Sequence, residues 1–335
     1  MGKISPKKLL ELVFPYQGKK RSEVIYNASL GRDCGIVDCG SDLIALTCDP
    51  ITGTSTHIGS FAVHVAANDL ICAGAEPVGI LISIILPPHA DENLIQLIMK
   101  DVDQESRKLG IAVLGGHTEF SDVVNRTLVH SSGIGRVNRM NIPDVGKVQP
   151  GDSIIITKGV GIEGTAILAN LYANRLSNQY GPDFLRRAQD FIHQLSVVPE
   201  GKIALKHYPH CLHDATEGGL LGALWEVCAG QNLGFTINMQ SIPLQPETRI
   251  ICDRLQIDPL RLISSGTLII FISSPEPLVR DLREINIPAY HIGTVTNSQD
   301  KILIHDDGSS QTISACPQDE LWRISDHEDH EALLP

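Results

Sequence analysis

The sequence predicts an α/β (α+β) protein in two similar-sized halves. Three observations carry this expectation. Short aliphatic runs alternate with amphipathic segments of helical period. A polar, proline-bracketed stretch from Pro143 to Pro150 interrupts the alternation midway. The chain has 335 residues, which suits two domains of roughly 150 residues each. The expected division is 1–150, 151–310 and an acidic tail at 311–335. With 29 glycines, 19 prolines and only 4% aromatic residues, the fold needs many tight turns and mainly aliphatic packing.

In the first half, Cys34 to Cys39 and Leu43 to Cys48 read as short strands joined by a Gly-Ser-Asp turn. Residues 57–74 read as a helix that buries Phe61, Val65 and Leu70, with Gly74 near its end. Val78 to Leu86 is a continuous aliphatic run closed by Pro87-Pro88, the pattern of a buried strand. Asp91 is a helix N-cap residue. Leu94, Leu97, Ile98, Val102 and Leu109 form the stripe of the helix that follows, and Gly110 ends it. Ile111 to Leu114 and Thr127 to Val137 complete the strands of this half.

In the second half, Ser153 to Thr157 reads as a strand and Thr165 to Leu176 as a helix. Phe184, Leu185, Ala188, Phe191, Ile192 and Leu195 mark another amphipathic helix. Residues 217–229 form a helix opened by a glycine pair. Leu268 to Ile272, Tyr290 to Val295 and Ile302 to Ile304 are late strands. The chain after Asp306 is polar and acidic and is expected to be loosely ordered.

The formal charge of −12 and a pI near 5.5 argue against nucleic-acid binding by bulk electrostatics. The longest apolar stretch, Val78 to Pro88, is too short to span a bilayer. The first residues, MGKISPKKLLELVF, do not resemble a secretory signal. Eight scattered cysteines form no C-x-x-C pair and read as reduced thiols of a cytoplasmic protein. No G-x-S-x-G elbow and no Walker A sequence is present.

Three features carry chemistry. Gly159-Val160-Gly161-Ile162-Glu163-Gly164 is formally G-x-G-x-x-G, but no second strand ending in an acid follows at the Rossmann distance. It reads mainly as a glycine-rich strand-to-helix turn; closure over an anion is the second reading and dinucleotide binding the least favoured. In the run Asp214-Ala215-Thr216-Glu217-Gly218-Gly219-Leu220, Asp214 and Thr216 are capable N-caps. Gly218 and Gly219 bare the amides of a helix start to an anion; a capped, closely packed helix start explains the run equally well. Thirdly, Asp33, Asp49, the pair Asn68-Asp69 and Gly115-Gly116-His117-Thr118-Glu119 each sit at or within an apolar segment. Each alone is more often a cap or turn residue, yet carboxylates so placed can converge on Mg²⁺. Among the histidines, His207, His210 and His213 span a helix-to-strand change, and His57 and His64 share a helix face without an evident third ligand. Structural roles outweigh zinc sites for both groups. The run Asp326 to Glu331 reads as a solvated acidic tail.

Taken in order, five blocks resemble the aminoimidazole ribonucleotide (AIR) synthase-like, or PurM-like, superfamily, most of all its HypE-like group of hydrogenase maturation factors. They are Gly31-Arg32-Asp33-Cys34-Gly35-Ile36-Val37, Thr47-Cys48-Asp49, Asn68-Asp69-Leu70 with Gly74-Ala75-Glu76-Pro77, Gly115-Gly116-His117-Thr118, and Asp214 to Leu220. The resemblance covers about residues 25–305. It implies a two-domain PurM-like fold whose N-terminal domains pair into an intersubunit β-barrel in a homodimer, followed by a C-terminal α/β domain. It also implies ATP and Mg²⁺ in a cleft between the domains. Asp33, Asp49 and Asp69 are then the expected metal ligands. Asn68, His117, Thr118, Asp214, Thr216, Gly218 and Gly219 are the expected ATP and phosphate contacts. No catalytic residue is assigned.

The departures from the family pattern are specific. Arg32 stands where an acid is usual and could contact phosphate itself. His117 replaces a common Asp, and Glu217 stands where HypE proteins carry Arg. HypE proteins carry an acceptor cysteine near the C-terminus, whereas the last cysteine here is Cys316. The implied function is ATP- and Mg²⁺-dependent phosphoryl transfer that activates an amide, carboxylate or hydroxyl, in hydrogenase or other metalloenzyme maturation with a maturation-factor partner. The alternative is a nucleotide-binding scaffold that acts through protein partners. Neither nucleic acid nor membrane is an expected partner.

Overall fold

The computed structural model describes residues 2–325, and the run from Asp326 lies outside the described residues. The chain divides into two compact units, one of Lys19–Ala28 with Asp33–Ile142, the other of Met1–Gly18, Ser29–Arg32 and Pro143–Pro335. We call them the first and second units. Helix α1 (Pro6–Leu12) belongs to the second.

The first unit holds β1 (Val24–Tyr26), β2 (Gly35–Asp38), β3 (Leu43–Ile51), α2 (Ile58–Cys72), β4 (Ala75–Leu86), α3 (Asn93–Leu109), β5 (Ala112–Phe120) and β6 (Leu128–Val137). Its sheet runs β1-β2-β3-β6-β4-β5. Neighbours are antiparallel except β4 and β5, which are parallel. The reason α2 lies against β3, β4 and β6 is visible in the pleat. Ala45, Thr47, Ile80, Ile82 and Val129 point to the buried side, while Leu46, Cys48 and Leu81 point away and stay exposed. The approach of α2 to α3 is so close that a Cβ on Gly59 would lie 2.4 Å from the Ile98 carbonyl oxygen.

Helix α3 stops where its sequence says, but its N-cap is Glu92, without a side-chain cap bond, one residue after the expected Asp91. Asp91 Oδ1 accepts from the Asn93 amide at 2.9 Å, and Gly110 takes the left-handed C-terminal position at φ 70°. Its buried face is Ile98, Val102, Glu105 and Ser106; Leu97, expected in the stripe, is exposed. A second difference is β5. The strand expected to end at Leu114 continues through Gly115 and Gly116 to Phe120, because β4 offers a matching parallel ladder up to Leu86.

The second unit holds β7 (Ser153–Thr157), α4 (Ile162–Leu171), α5 (Ala173–Tyr180), α6 (Pro182–Gln189), α7 (Val198–Leu205), β8 (Cys211–Asp214), α8 (Gly219–Gly230), β9 (Gly234–Asn238), α9 (Pro246–Leu255), β10 (Leu268–Ile272), α10 (Pro275–Glu284), β11 (Ala289–Thr296), β12 (Lys301–Ile304), β13 (Ser310–Thr312) and α11 (Glu320–Ser325). Its sheet runs β13-β12-β9-β11-β7-β10-β8. β7 and β10, both fully apolar in their middles, form its buried centre with Ile154, Ile156, Ile269 and Phe271. The helix expected at 165–176 is divided at Tyr172 into α4 and α5. The chain after Asp306, expected to be loosely ordered, instead forms β13 and α11 up to Ser325. Leu321, Trp322 and Ile324 of α11 are buried. Among the described residues no helix is long and apolar enough to cross a membrane.

Candidate functional site

Within the first unit, the carboxylates of two predicted acids, Asp49 and Asp69, and the backbone carbonyl of a third, Asp33, meet at one hydroxyl. Thr47 is buried on the helix-facing side of β3. Its Oγ1 lies 2.5 Å from Asp69 Oδ2 on α2, 3.2 Å from Asp49 Oδ2 two residues along the strand, and 3.2 Å from the Asp33 backbone oxygen. The alternation of β3 puts Thr47 and Asp49 on the same face. Helix α2 presents Asp69 and Asn68 from within an otherwise apolar, buried segment. Asn68 is fully buried and Asp69 nearly so. A hydroxyl carries one proton, so Thr47 donates to only one of these three oxygens at a time. Oxygen acceptors outnumbering protons is the composition that a hard divalent cation favours.

His117 and Thr118 are elsewhere in this unit, on exposed β5, where His117 Nε2 and Glu119 Oε2 are 3.1 Å apart. His57 and His64 each meet an acid of α3. His57 is 3.6 Å from Asp101, and the buried His64 is 3.2 Å from Glu105, whose carboxyl is held down to about 2 chiefly by that imidazole. These pairs tie α2 to α3.

In the second unit, Asp214 ends β8 and is fully buried. Thr216 and Glu217 lead into Gly218 and Gly219, which both take positive φ, 87° and 62°. The expected caps are corrected here. Gly218, not Asp214 or Thr216, is the N-cap of α8, and no side chain of the turn itself caps it. The cap comes from far along the chain: the Gly218 amide donates to Asp319 Oδ2 at 2.6 Å. Glycine is required at 219, where a Cβ would lie 2.7 Å from the Leu260 and Leu262 carbonyl oxygens. Glu217 Oε1 accepts from the Lys3 amide at 2.5 Å.

The Gly159–Gly164 loop is filled by protein. Thr267 donates to the Gly159 carbonyl at 2.5 Å, and Ser264 Oγ accepts from the Ile162 amide at 3.2 Å. A Cβ on Gly164 would lie 2.3 Å from Leu262 Cγ. This is a closely packed strand-to-helix turn whose first amides are already paired. Arg32, a phosphate contact by sequence expectation, makes a two-pronged ion pair with the buried linker residue Asp144, at 2.7 and 3.1 Å. His207, His210 and His213 have separate partners: Asp281, Asp152 and the Asp214 carbonyl.

Sequence reasoning missed Glu163 and Asp319. Glu163 lies in the first turn of α4, and Oε2 has no hydrogen-bond partner among the described residues. Burial, with Asp319 and Asp214 adding to it, pushes its carboxyl up to about 7. Burial also pushes Asp319 up to about 6. The available signal was Asp319 directly before Glu320-Leu321-Trp322, the pattern of a helix cap; Asp319 Oδ1 indeed accepts from the Leu321 amide at 2.8 Å.

The N-terminal domain of AIR synthase related proteins matches residues 31–137, and their C-terminal domain matches residues 149–306. The chain belongs to the AIR synthase related family. It is 30% identical over 281 residues to a Methanocaldococcus jannaschii protein named for hydrogenase expression and formation, covering 81% of this chain and 82% of that one. It is 28% identical over 232 residues to the carbamoyl dehydratase HypE of Rhodobacter capsulatus, covering 68% of this chain and 65% of the relative. Its fold matches a crystal structure of the hydrogenase maturation protein HypE in complex with ATP at a TM-score of 0.67 and 21% identity. That match covers 96% of this chain and 97% of the other.

Proposed function

We propose that the chain is an ATP- and Mg²⁺-dependent enzyme of the HypE-like branch, acting in hydrogenase maturation by activating the oxygen of an amide. The observation that carries this reading is the meeting of the Asp49 and Asp69 carboxylates with the Asp33 carbonyl at the Thr47 hydroxyl. The names of the two relatives, a hydrogenase formation protein and a carbamoyl dehydratase, supply the setting. When bound, Mg-ATP supplies the γ-phosphoryl group that activates such an oxygen. Asp33, Asp49 and Asp69 would hold the cation, Asn68 would support them from α2, and Thr47 would shift its proton among them. His117, Thr118, Asp214, Thr216, Gly218 and Gly219 remain the proposed nucleotide contacts. The same reading puts the chain in the cytoplasm, with a maturation-factor partner.

The same reading includes a homodimer through the first sheet. Leu46, Leu81, Val113, Leu114 and Phe120 are exposed, and β5 is an edge strand exposed along its whole length. An open edge of this kind invites pairing with another strand; light scattering at twice the chain mass is the expected result.

Asp69→Asn tests the core of the proposal. Titration calorimetry is expected to show Mg-ATP affinity falling at least about 10-fold, the magnitude for a lost charged ligand contact. Unchanged binding and turnover would remove the assignment. A nucleotide-binding scaffold is the second reading, and Cys316 favours it. Burial, with Glu226 adding to it, pushes that thiol up to about 12, so it offers no thiolate at neutral pH. ATP binding without ADP release, across amide substrates and with partner present, is the outcome that would select the scaffold.

A further inference from the structure

The chain from Pro317 to Ser325 lies beyond both family domains, yet it is built onto the second unit. Leu321, Trp322 and Ile324 are buried, Arg261 contacts both the Gln318 carbonyl and the Glu320 carboxylate, and Arg323 bonds the Gln256 carbonyl. The one charged group this segment sends to α8 is Asp319. Its carboxylate, 5% exposed, takes the amide of Gly218 at the positive end of a 12-residue helix. A carboxylate there fills the place where helix amides and the helix dipole favour an anion.

The surroundings show that this carboxylate is held against resistance. Glu217 and Glu163 oppose its charge while the amides of Leu321, Gly218 and Ile263 hold it, and Glu163 Oε2 is buried without a hydrogen-bond partner among the described residues. The cations in contact with the segment, Arg261 and Arg323, pair with Glu320 instead. Repulsion from Glu217 and Glu163 lowers the cost of releasing the cap that the amides hold. Pro317 adds a steric element, since its carbonyl oxygen stands 3.2 Å from where a Gly218 Cβ would be.

We propose that Asp319 is an internal anion occupying the Gly218 amide, and that the segment Pro317–Ser325 is a strap which nucleotide phosphate displaces on binding. The proposal rests on the nucleotide reading above. It makes the strap an autoinhibitory contact, which competes with nucleotide in proportion to how well Asp319 holds Gly218.

The test uses the full chain. Titration calorimetry with Mg-ATP compares the unaltered protein with Asp319→Ala and Asp319→Asn. The expected result is about 10-fold tighter binding to Asp319→Ala and an intermediate gain for Asp319→Asn, which keeps an acceptor but loses the charge. A second readout uses the two tryptophans of the chain. In a Trp225→Phe background, Trp322 reports alone, and Mg-ATP is expected to increase its quenching by acrylamide. If Asp319→Ala fails to fold, Asp319→Asn and the Trp322 signal still decide. Equal Mg-ATP affinity in all folded proteins, with Trp322 still shielded, overturns the strap and leaves the nucleotide reading standing. Absence of Mg-ATP binding to every one of them overturns both.

Discussion

The turn Gly159–Gly164 leads β7 into α4, and the turn Asp214–Gly219 leads β8 into α8. Both open a helix with a left-handed glycine N-cap, Gly161 at φ 67° and Gly218 at φ 87°, and neither cap uses a side chain of its own. Their surroundings differ. At α4 the Ile162 amide is paired with a neutral hydroxyl, Ser264, and Leu262 fills the space beside Gly164. At α8 the Gly218 amide is paired with a carboxylate from 101 residues away. Glycine spacing therefore reports how closely another backbone or side chain approaches. What kind of group the amide holds is decided by the residue facing it, and that residue is not in the motif.

The largest expected effect comes from Gly164→Ala. The new Cβ would stand 2.3 Å from Leu262 Cγ, and Leu262 is fully buried. Overpacking of this severity costs about 3 kcal/mol, seen as a lower denaturation temperature. Mg-ATP affinity of the folded protein is expected to stay the same, because this turn is packing. A variant as stable as the parent, or one that loses nucleotide binding alone, would break the contrast between the two turns.

The next effect is a pH dependence that belongs to the acids between the turns. Glu163 is raised from its ordinary 4.5 to about 7 by burial, with Asp319 and Asp214 adding to it. A raised carboxyl means the unfolded chain loses this proton before the folded chain does. Stability is therefore undiminished below about 4.5, falls as pH rises toward about 7, and is constant above. Asp319 adds the same sign over a lower window, up to about 6. Between pH 5 and pH 8 the protein is expected to lose about 2 kcal/mol through Glu163, an order-of-magnitude figure from linkage. Glu163→Gln, which cannot ionise, is expected to remove most of that slope in thermal denaturation measured across the range. An identical slope in the variant would show that the acids of this region are not coupled as described.

The contrast also explains what could be read from the chain. Local period was enough for β3, β4, α3 and the sheet centre of the second unit, since alternation and stripes are set by neighbours in sequence. Asp49 and Asp69 stood out as candidates because a carboxylate inside the apolar helix α2 needs a partner and carboxylates at apolar segments can converge on Mg²⁺. Their meeting at Thr47 was not legible, because it depends on α2 lying across β3. Asp214 and Thr216 looked like caps by type, but Gly218 took that position once Asp319 arrived. Asp319 itself was read as part of an acidic tail, since nothing near it in sequence shows that Leu321, Trp322 and Ile324 will be buried. Arg32 looked available to phosphate until Asp144, 112 residues away, claimed both of its prongs.

The smallest effect tests the neutral partner at α4. Ser264→Ala removes the hydroxyl that accepts from the buried Ile162 amide at 3.2 Å. Thr267, 2.7 Å from the same hydroxyl, keeps its bond to the Gly159 carbonyl, so the loss is confined to one donor. An orphaned buried amide costs about 1 kcal/mol. The variant is thus expected to melt slightly earlier, with the same Mg-ATP affinity and the same pH slope as the parent. Asp319→Ala, the corresponding deletion at α8, is expected to change affinity instead. If Ser264→Ala also tightened Mg-ATP binding, both amides would be competing with phosphate, and the charge of the facing group would no longer separate the two turns.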